Sequence, residues 1–188
     1  MVETVFIHKN SLSIHAAADA MKNIIIIGMP GAGKSTLGVI LAKTLGWKFS
    51  DTDLLIQERT GRLLQEVIDT DGTDAFKKIE EQIVLSLHCN KTVIATGGSV
   101  VFSEQAMEHL KSDGIVLYLR ISFDEMIRRL GNITTRGIVL AAGESLPEMY
   151  NERIPLYERY ADITIECSSD PFEKIISRVL EELPKTPE

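Results

Sequence analysis

The apolar residues of this chain fall into two alternating rhythms. Residues 24–27 are an unbroken isoleucine run, and 47–50, 92–96, 115–119 and 163–166 are short stretches that read the same way. Apolar runs of this length suit strands covered on both faces. Between them, apolar residues recur three and four apart, which places them on one face of a helix. Such a helix is expected over 37–45, another starts near Asp53, and 73–88 carries Phe76, Ile79, Ile83, Val84 and Leu87 at helical spacing. Further helices are expected over 103–112, 123–130, about 146–160 and 171–183, where Pro171 suits a first turn. Strands alternating with helices predict an α/β protein of three layers, a five-stranded parallel sheet flanked by helices. Ligands of such sheets gather at the carboxyl ends of the strands.

One stretch fits neither rhythm. Residues 131–145 are bracketed by glycines, are weakly periodic and hold a single arginine, Arg136. Long irregular insertions in compact domains are often lids, and a mobile lid is the expectation here.

The first strand runs directly into Gly28-Met29-Pro30-Gly31-Ala32-Gly33-Lys34-Ser35-Thr36. A strand, a Gly-rich turn ending in Gly-Lys-Ser, and a helix together form a phosphate-binding loop. Backbone N–H groups of Gly31, Ala32, Gly33 and Thr36 would curl around the phosphates, and the helix N-terminus adds positive potential. Lys34 would reach the β/γ oxygens, and the Ser35 hydroxyl would ligate Mg²⁺. The motif predicts binding of a nucleoside triphosphate.

Composition narrows the field. The chain has 188 residues, 44% hydrophobic and 25% charged, which suits one soluble domain. A net charge of −7 argues against an extended nucleic-acid surface, and no apolar run is long enough for a membrane span. Cys89 and Cys167 stand alone, as reduced thiols of a cytoplasmic protein would. His8, His15, His88 and His109 form no ligand pattern. Met21 directly precedes the first strand, so 1–20 reads as an N-terminal extension and 21–188 as a single domain. A monomer is expected.

Other candidates sit where the predicted strands end. Asp51-Thr52-Asp53 closes the second strand; the acidic pair could serve Mg²⁺ and a substrate hydroxyl, or simply cap a helix. Thr96-Gly97-Gly98-Ser99 closes the third, and paired glycines permit close approach of backbone to a small ligand. Lys77 precedes Glu80 by three residues on one helical face, and spacing alone favours a solvated ion pair. Arg128, Arg129, Arg136 and Arg153 fall in the second half, where a lid could bring arginines to a moving phosphoryl group.

Taken in order, the phosphate loop, Asp51-Thr52-Asp53, Arg59-Thr60-Gly61-Arg62, Phe76-Lys77-Lys78-Ile79-Glu80-Glu81, Thr96-Gly97-Gly98 and Arg153-Ile154-Pro155-Leu156-Tyr157 resemble the shikimate kinase family. The resemblance covers about residues 21–183. It implies a P-loop kinase fold, like that of nucleoside monophosphate kinases, and transfer of phosphate from ATP to a ring hydroxyl of shikimate. It implies that Lys34, Asp53 and Arg136 are catalytic, Asp53 meeting the attacking hydroxyl and Arg136 the transferring phosphoryl. Asp51 would help hold Mg²⁺ through water beside Ser35, and Arg129 with Pro171 would sandwich the adenine. Lys77 and Arg153 would grip the acceptor's carboxylate, with Gly97, Gly98 and Ser99 lining its ring.

Three positions depart from the family pattern. Lys77 stands where Arg is usual, Ser99 where a third glycine is usual, and Gly137-Ile138 where Pro-Leu usually follows the lid arginine. Lysine keeps the charge of arginine and loses its bidentate fork, and glycine in place of proline loosens the lid. These departures keep open a same-fold kinase for another small hydroxylated acid or polyol, and a nucleotide-binding regulatory module with weak catalysis.

Overall fold

The computed structural model describes residues 23–131, 138–140, 143–167 and 171–183. The expected extension at 1–20, much of the expected lid, and Arg136 with it, lie outside the described residues.

Five strands form one parallel sheet in the order β2-β3-β1-β4-β5: β1 Asn23–Gly28, β2 Lys48–Asp51, β3 Thr92–Ala95, β4 Ile115–Arg120 and β5 Ile163–Glu166. Parallel neighbours cannot be joined by tight turns, so each link crosses a face of the sheet. Seven α-helices among the described residues make those crossings, α1 Lys34–Leu45, α2 Thr52–Thr60, α3 Leu64–Asp71, α4 Thr73–Leu85, α5 Glu104–Ser112, α6 Phe123–Leu130 and α7 Leu146–Tyr160, and an eighth, α8 Phe172–Glu182, follows β5. Ile24, Ile25, Ile26 and Ile27 of the central strand are fully buried, as a strand covered on both faces must be.

The expected elements are present, with informative shifts. The second strand begins at Lys48, not Trp47, because Gly46 turns left-handed (φ 69°) and the Trp47 N–H bonds back to the Ala42 carbonyl. Trp47 thus closes the C-terminus of α1. The helix expected over 73–88 stops at Leu85, where the Ser86 hydroxyl donates to the Ile83 carbonyl. Helix α3 was not expected. Its eight residues bury only Leu64 and Val67, too few to show a period, and Leu63 stands where a polar N-cap residue is usual.

The main core fills both sides of the sheet. A smaller one joins Ile56 of α2, Leu64 and Val67 of α3, Phe76 and Ile83 of α4, and Val139. Val139 belongs to the expected lid, so that segment rests part of its length on this second core.

Candidate active site

The turn after β1 is shaped by left-handed glycines. Gly31 (φ 79°) and Gly33 (φ 94°) adopt angles that side chains resist, and a methyl on Gly33 would stand 3.0 Å from the Phe172 ring. Lys34 opens α1 and is nearly buried. Its ammonium donates to the carbonyls of Gly28 (2.8 Å) and Met29 (2.9 Å), so the loop itself holds it at the mouth of the turn.

Arg129 braces this loop from behind. Its guanidinium donates to the carbonyls of Gly31 and Ala32, both at 3.2 Å, and of Cys167 at 3.0 Å, while Nε meets Glu125 at 2.5 Å. Hydrogen bonds from Arg128 and then Arg129 hold the Glu125 carboxyl down to about 2, so it stays charged and keeps Arg129 aimed. Pro171 precedes the first turn of α8, beside the ring that packs on Gly33.

Gly31, Gly33, Lys34 and Ser35 of the loop, Asp53 of α2, Gly97, Gly98 and Ser99 after β3, and Arg153 of α7 all line one open cavity. Ala32 is buried behind the loop, and Thr36 is exposed. Asp51 caps α2 by accepting the Asp53 N–H at 3.0 Å and is not among the residues that line the cavity. Lys77 does not line the cavity. Its ammonium lies 4.4 Å from the centre of the Phe102 ring, and the residue lines a neighbouring depression that shares Glu80 and Ser99 with the cavity.

The expected solvated pair of Lys77 with Glu80 is not formed. Glu80 is buried, its Oε2 accepts the Ser99 hydroxyl at 2.6 Å, and its Oε1 has no partner. Burial pushes its carboxyl up to about 7; Asp53 pushes it further, while Ser99, Arg153 and Lys34 oppose. Arg153 is also buried. It donates to the Val139 carbonyl, yet its Nε has no partner.

Several residues that position the site were missed in the sequence. Glu80 had a signal: Phe76, Glu80, Ile83 and Val84 share one helical stripe, and a carboxylate on an apolar stripe is a candidate for burial with a purpose. Thr52 accepts the Gly97 N–H at 3.0 Å, and the Tyr157 hydroxyl donates to the Gly98 carbonyl at 2.6 Å. Together they fix the paired glycines from two sides. Burial raises the Tyr157 phenol well above its ordinary value, so it remains a donor.

The shikimate kinase family model matches residues 30–184. The chain belongs to the shikimate kinase family. A shikimate kinase of Mycobacterium avium is 40% identical over 167 residues, 86% of this chain and 93% of that one. That of Thermodesulfovibrio yellowstonii is 36% identical over 165 residues, 86% of this chain and 95% of its own. In structure, the shikimate kinase of Acinetobacter baumannii in complex with shikimate superposes with a TM-score of 0.79 at 28% identity, covering 89% of this chain and 95% of that one. As in other shikimate kinases, the chain is a phosphotransferase built on an α/β P-loop fold. No described helix is long and apolar enough to cross a membrane.

Proposed function

We infer that this chain moves the γ-phosphoryl group of ATP to a ring hydroxyl of shikimate, yielding ADP and shikimate 3-phosphate. One observation carries the reading. Inside the cavity that Lys34 shares, two buried atoms of opposite character lack partners: the donor Arg153 Nε and the acceptor Glu80 Oε1. Buried polar groups are nearly always satisfied, so a ligand that offers both a carboxylate and hydroxyls is the natural complement. A small hydroxylated acid is such a ligand.

In this reading the loop amides and Lys34 hold the phosphates in line, and Asp53 accepts a hydrogen bond from the attacking hydroxyl. Arg153 holds the acceptor's carboxylate. Lys77 lies over the Phe102 ring, whose centre is also 5.4 Å from the Arg153 guanidinium, and would reach that carboxylate by leaving the ring. Arg129 and Pro171 flank the adenine side, and Arg136 meets the transferring phosphoryl group.

Mg²⁺ fits the donor set. Ser35 and Asp51 are hard oxygen donors, and no cluster of three or more His, Cys, Asp or Glu among the described residues could hold a metal alone. A few protein oxygens completed by phosphate and water are the usual cradle of that ion. When bound it neutralises charge on the phosphate oxygens. The free thiols of Cys89 and Cys167 suit a reducing cytoplasm. Among the described residues the exposed large apolar side chains are Val39, Leu54, Leu63, Leu85 and Ile127, no two of them adjacent in sequence, which supports reading the chain as a monomer.

Ser99 inside the pocket and Lys77 outside it favour a second reading, a kinase of this fold for a different hydroxylated acid. ADP release with MgATP separates the two, comparing shikimate with quinate, gluconate, homoserine and no acceptor. Turnover on shikimate alone is expected. Turnover on another acid with silence on shikimate would establish the second reading, and ATP binding with no acceptor-dependent turnover would establish a regulatory module.

A further inference from the structure

The two oxygens of Glu80 have different surroundings. Oε2 receives the Ser99 hydroxyl at 2.6 Å, whereas Oε1 is unpartnered. A methyl placed on Gly97 would stand 2.1 Å from Glu80 Oε1 and 2.9 Å from Asp53 Oδ1, so both carboxylates crowd one small space against the glycine backbone. Ser99 sits in the right-handed region (φ −95°, ψ −8°), where a side chain adds no strain, and it is buried. Lys77, the helical neighbour placed to pair with Glu80, lies over the Phe102 ring. The rotamer of Glu80 is therefore held by Ser99.

We propose that Ser99 is a positioning residue that sets acceptor selectivity: by pinning Oε2 it turns Oε1 of Glu80 toward a second acceptor hydroxyl, adjacent to the one that Asp53 orients. The pocket then selects an acid bearing vicinal hydroxyls, its carboxylate on Arg153, its reacting hydroxyl on Asp53 and the neighbouring hydroxyl on Glu80. This rests on reading the cavity as the acceptor pocket. An acceptor hydroxyl donates more strongly to a carboxylate than to a carboxyl group. The charged groups that face Glu80 are Asp53 of α2, which favours its neutral form, and Arg153 of α7 and Lys34 of α1, which favour the ionised one. The Ser99 hydrogen bond also favours the ionised form, so removing it moves ionisation to higher pH.

The test is steady-state kinetics of wild type, Ser99→Ala and Glu80→Gln from pH 5.5 to 8.5, with shikimate and with its analogue lacking the hydroxyl beside the phosphorylated one. Wild type should show a KM about tenfold higher for the analogue. In both variants the two acceptors should converge, through a raised shikimate KM with kcat and the KM for ATP little changed. In Ser99→Ala the acidic limb of kcat/KM should also move to higher pH. An unchanged shikimate KM and pH limb in Ser99→Ala would overturn the proposal. So would an equal loss of kcat on both acceptors with a weakened KM for ATP, which a merely structural role would produce.

A wild type silent on shikimate would overturn the acceptor reading instead. In that case ¹³C NMR of the Glu80 carboxyl, assigned by its loss in Glu80→Gln, decides the positioning in the free protein. Its titration midpoint must rise in Ser99→Ala, and an unmoved midpoint refutes the role of Ser99.

Discussion

Glu80→Gln should make the protein more stable at pH 8 and leave it unchanged near pH 4.5. The wild-type carboxyl is pushed up to about 7 from an ordinary 4.5, chiefly by burial. Between those values the folded protein holds a proton that the unfolded chain has released. The group's contribution is therefore complete at low pH and declines as pH rises toward 7. With about 1.4 kcal/mol per pKa unit, ionising Glu80 costs the fold about 3 kcal/mol by pH 8. Glutamine keeps the shape and the means to bond Ser99, and it never ionises. The difference between variant and wild type should thus be near zero at pH 4.5 and climb to about 3 kcal/mol above neutrality. For a domain of this size that is roughly 6–12 °C in melting temperature. Melting followed by circular dichroism in parallel buffers reads the difference directly, and other titrating groups cancel between the two proteins. A difference that does not change with pH would mean that Glu80 ionises normally, and the burial argument would fall. Destabilisation at every pH would mean that a buried cation depends on its charge. The stabilised variant should also bind acceptor less well, the usual exchange between stability and a prepared site.

Lys34→Ala should lower turnover by two or more orders of magnitude with the fold intact, since charge-neutralising groups of this kind contribute several kcal/mol to the transition state. Arg136→Ala should do the same, and single-turnover phosphoryl transfer at near-normal rate would remove either residue from the mechanism. Gly97→Ala would drive a methyl to 2.1 Å from Glu80 Oε1, so acceptor KM should rise at least tenfold while ATP affinity holds; equal loss of both would place the damage elsewhere. Tyr157→Phe leaves the Gly98 carbonyl without its 2.6 Å donor and should cost about 1–3 kcal/mol in urea unfolding; an unchanged midpoint would mean that water substitutes.

Much of the fold was legible because its signals are local. The isoleucine run, the Gly-rich turn and the apolar stripe of α1 are contiguous, so strand, loop and helix could be read together with the phosphate site they form. Boundaries slipped where a cap overrode composition, as when Trp47 closed α1 and did not open β2. Helix α3 escaped because eight residues with two buried side chains carry too little periodicity. At the site, the loop and the paired glycines that line the cavity were legible by motif, and Asp53 by its place at a strand end, whereas Asp51 caps α2 and does not line the cavity. The partner of Glu80 was not. Spacing pointed to Lys77 on the same helix, and burial gave it to Ser99, nineteen residues away.

That difference separates what the chain determined by itself from what only the tertiary structure decided. Residue type and spacing specified the strands, most helices, the phosphate loop and the family, because backbone preference and side-chain period act over a few residues. Which polar atoms meet depended on the parallel register that sets the end of β3 beside β1 and β2, and on helices laid across it. Arg129 reaches the Gly31 carbonyl across 98 residues of sequence, and Tyr157 reaches that of Gly98 across 59. Burial then altered the chemistry of what had been assembled. A glutamate expected in a solvated ion pair became a buried carboxyl in the wall of the pocket whose ionisation is pushed up to about 7, because desolvation depends on everything packed around a group and not on its neighbours in sequence.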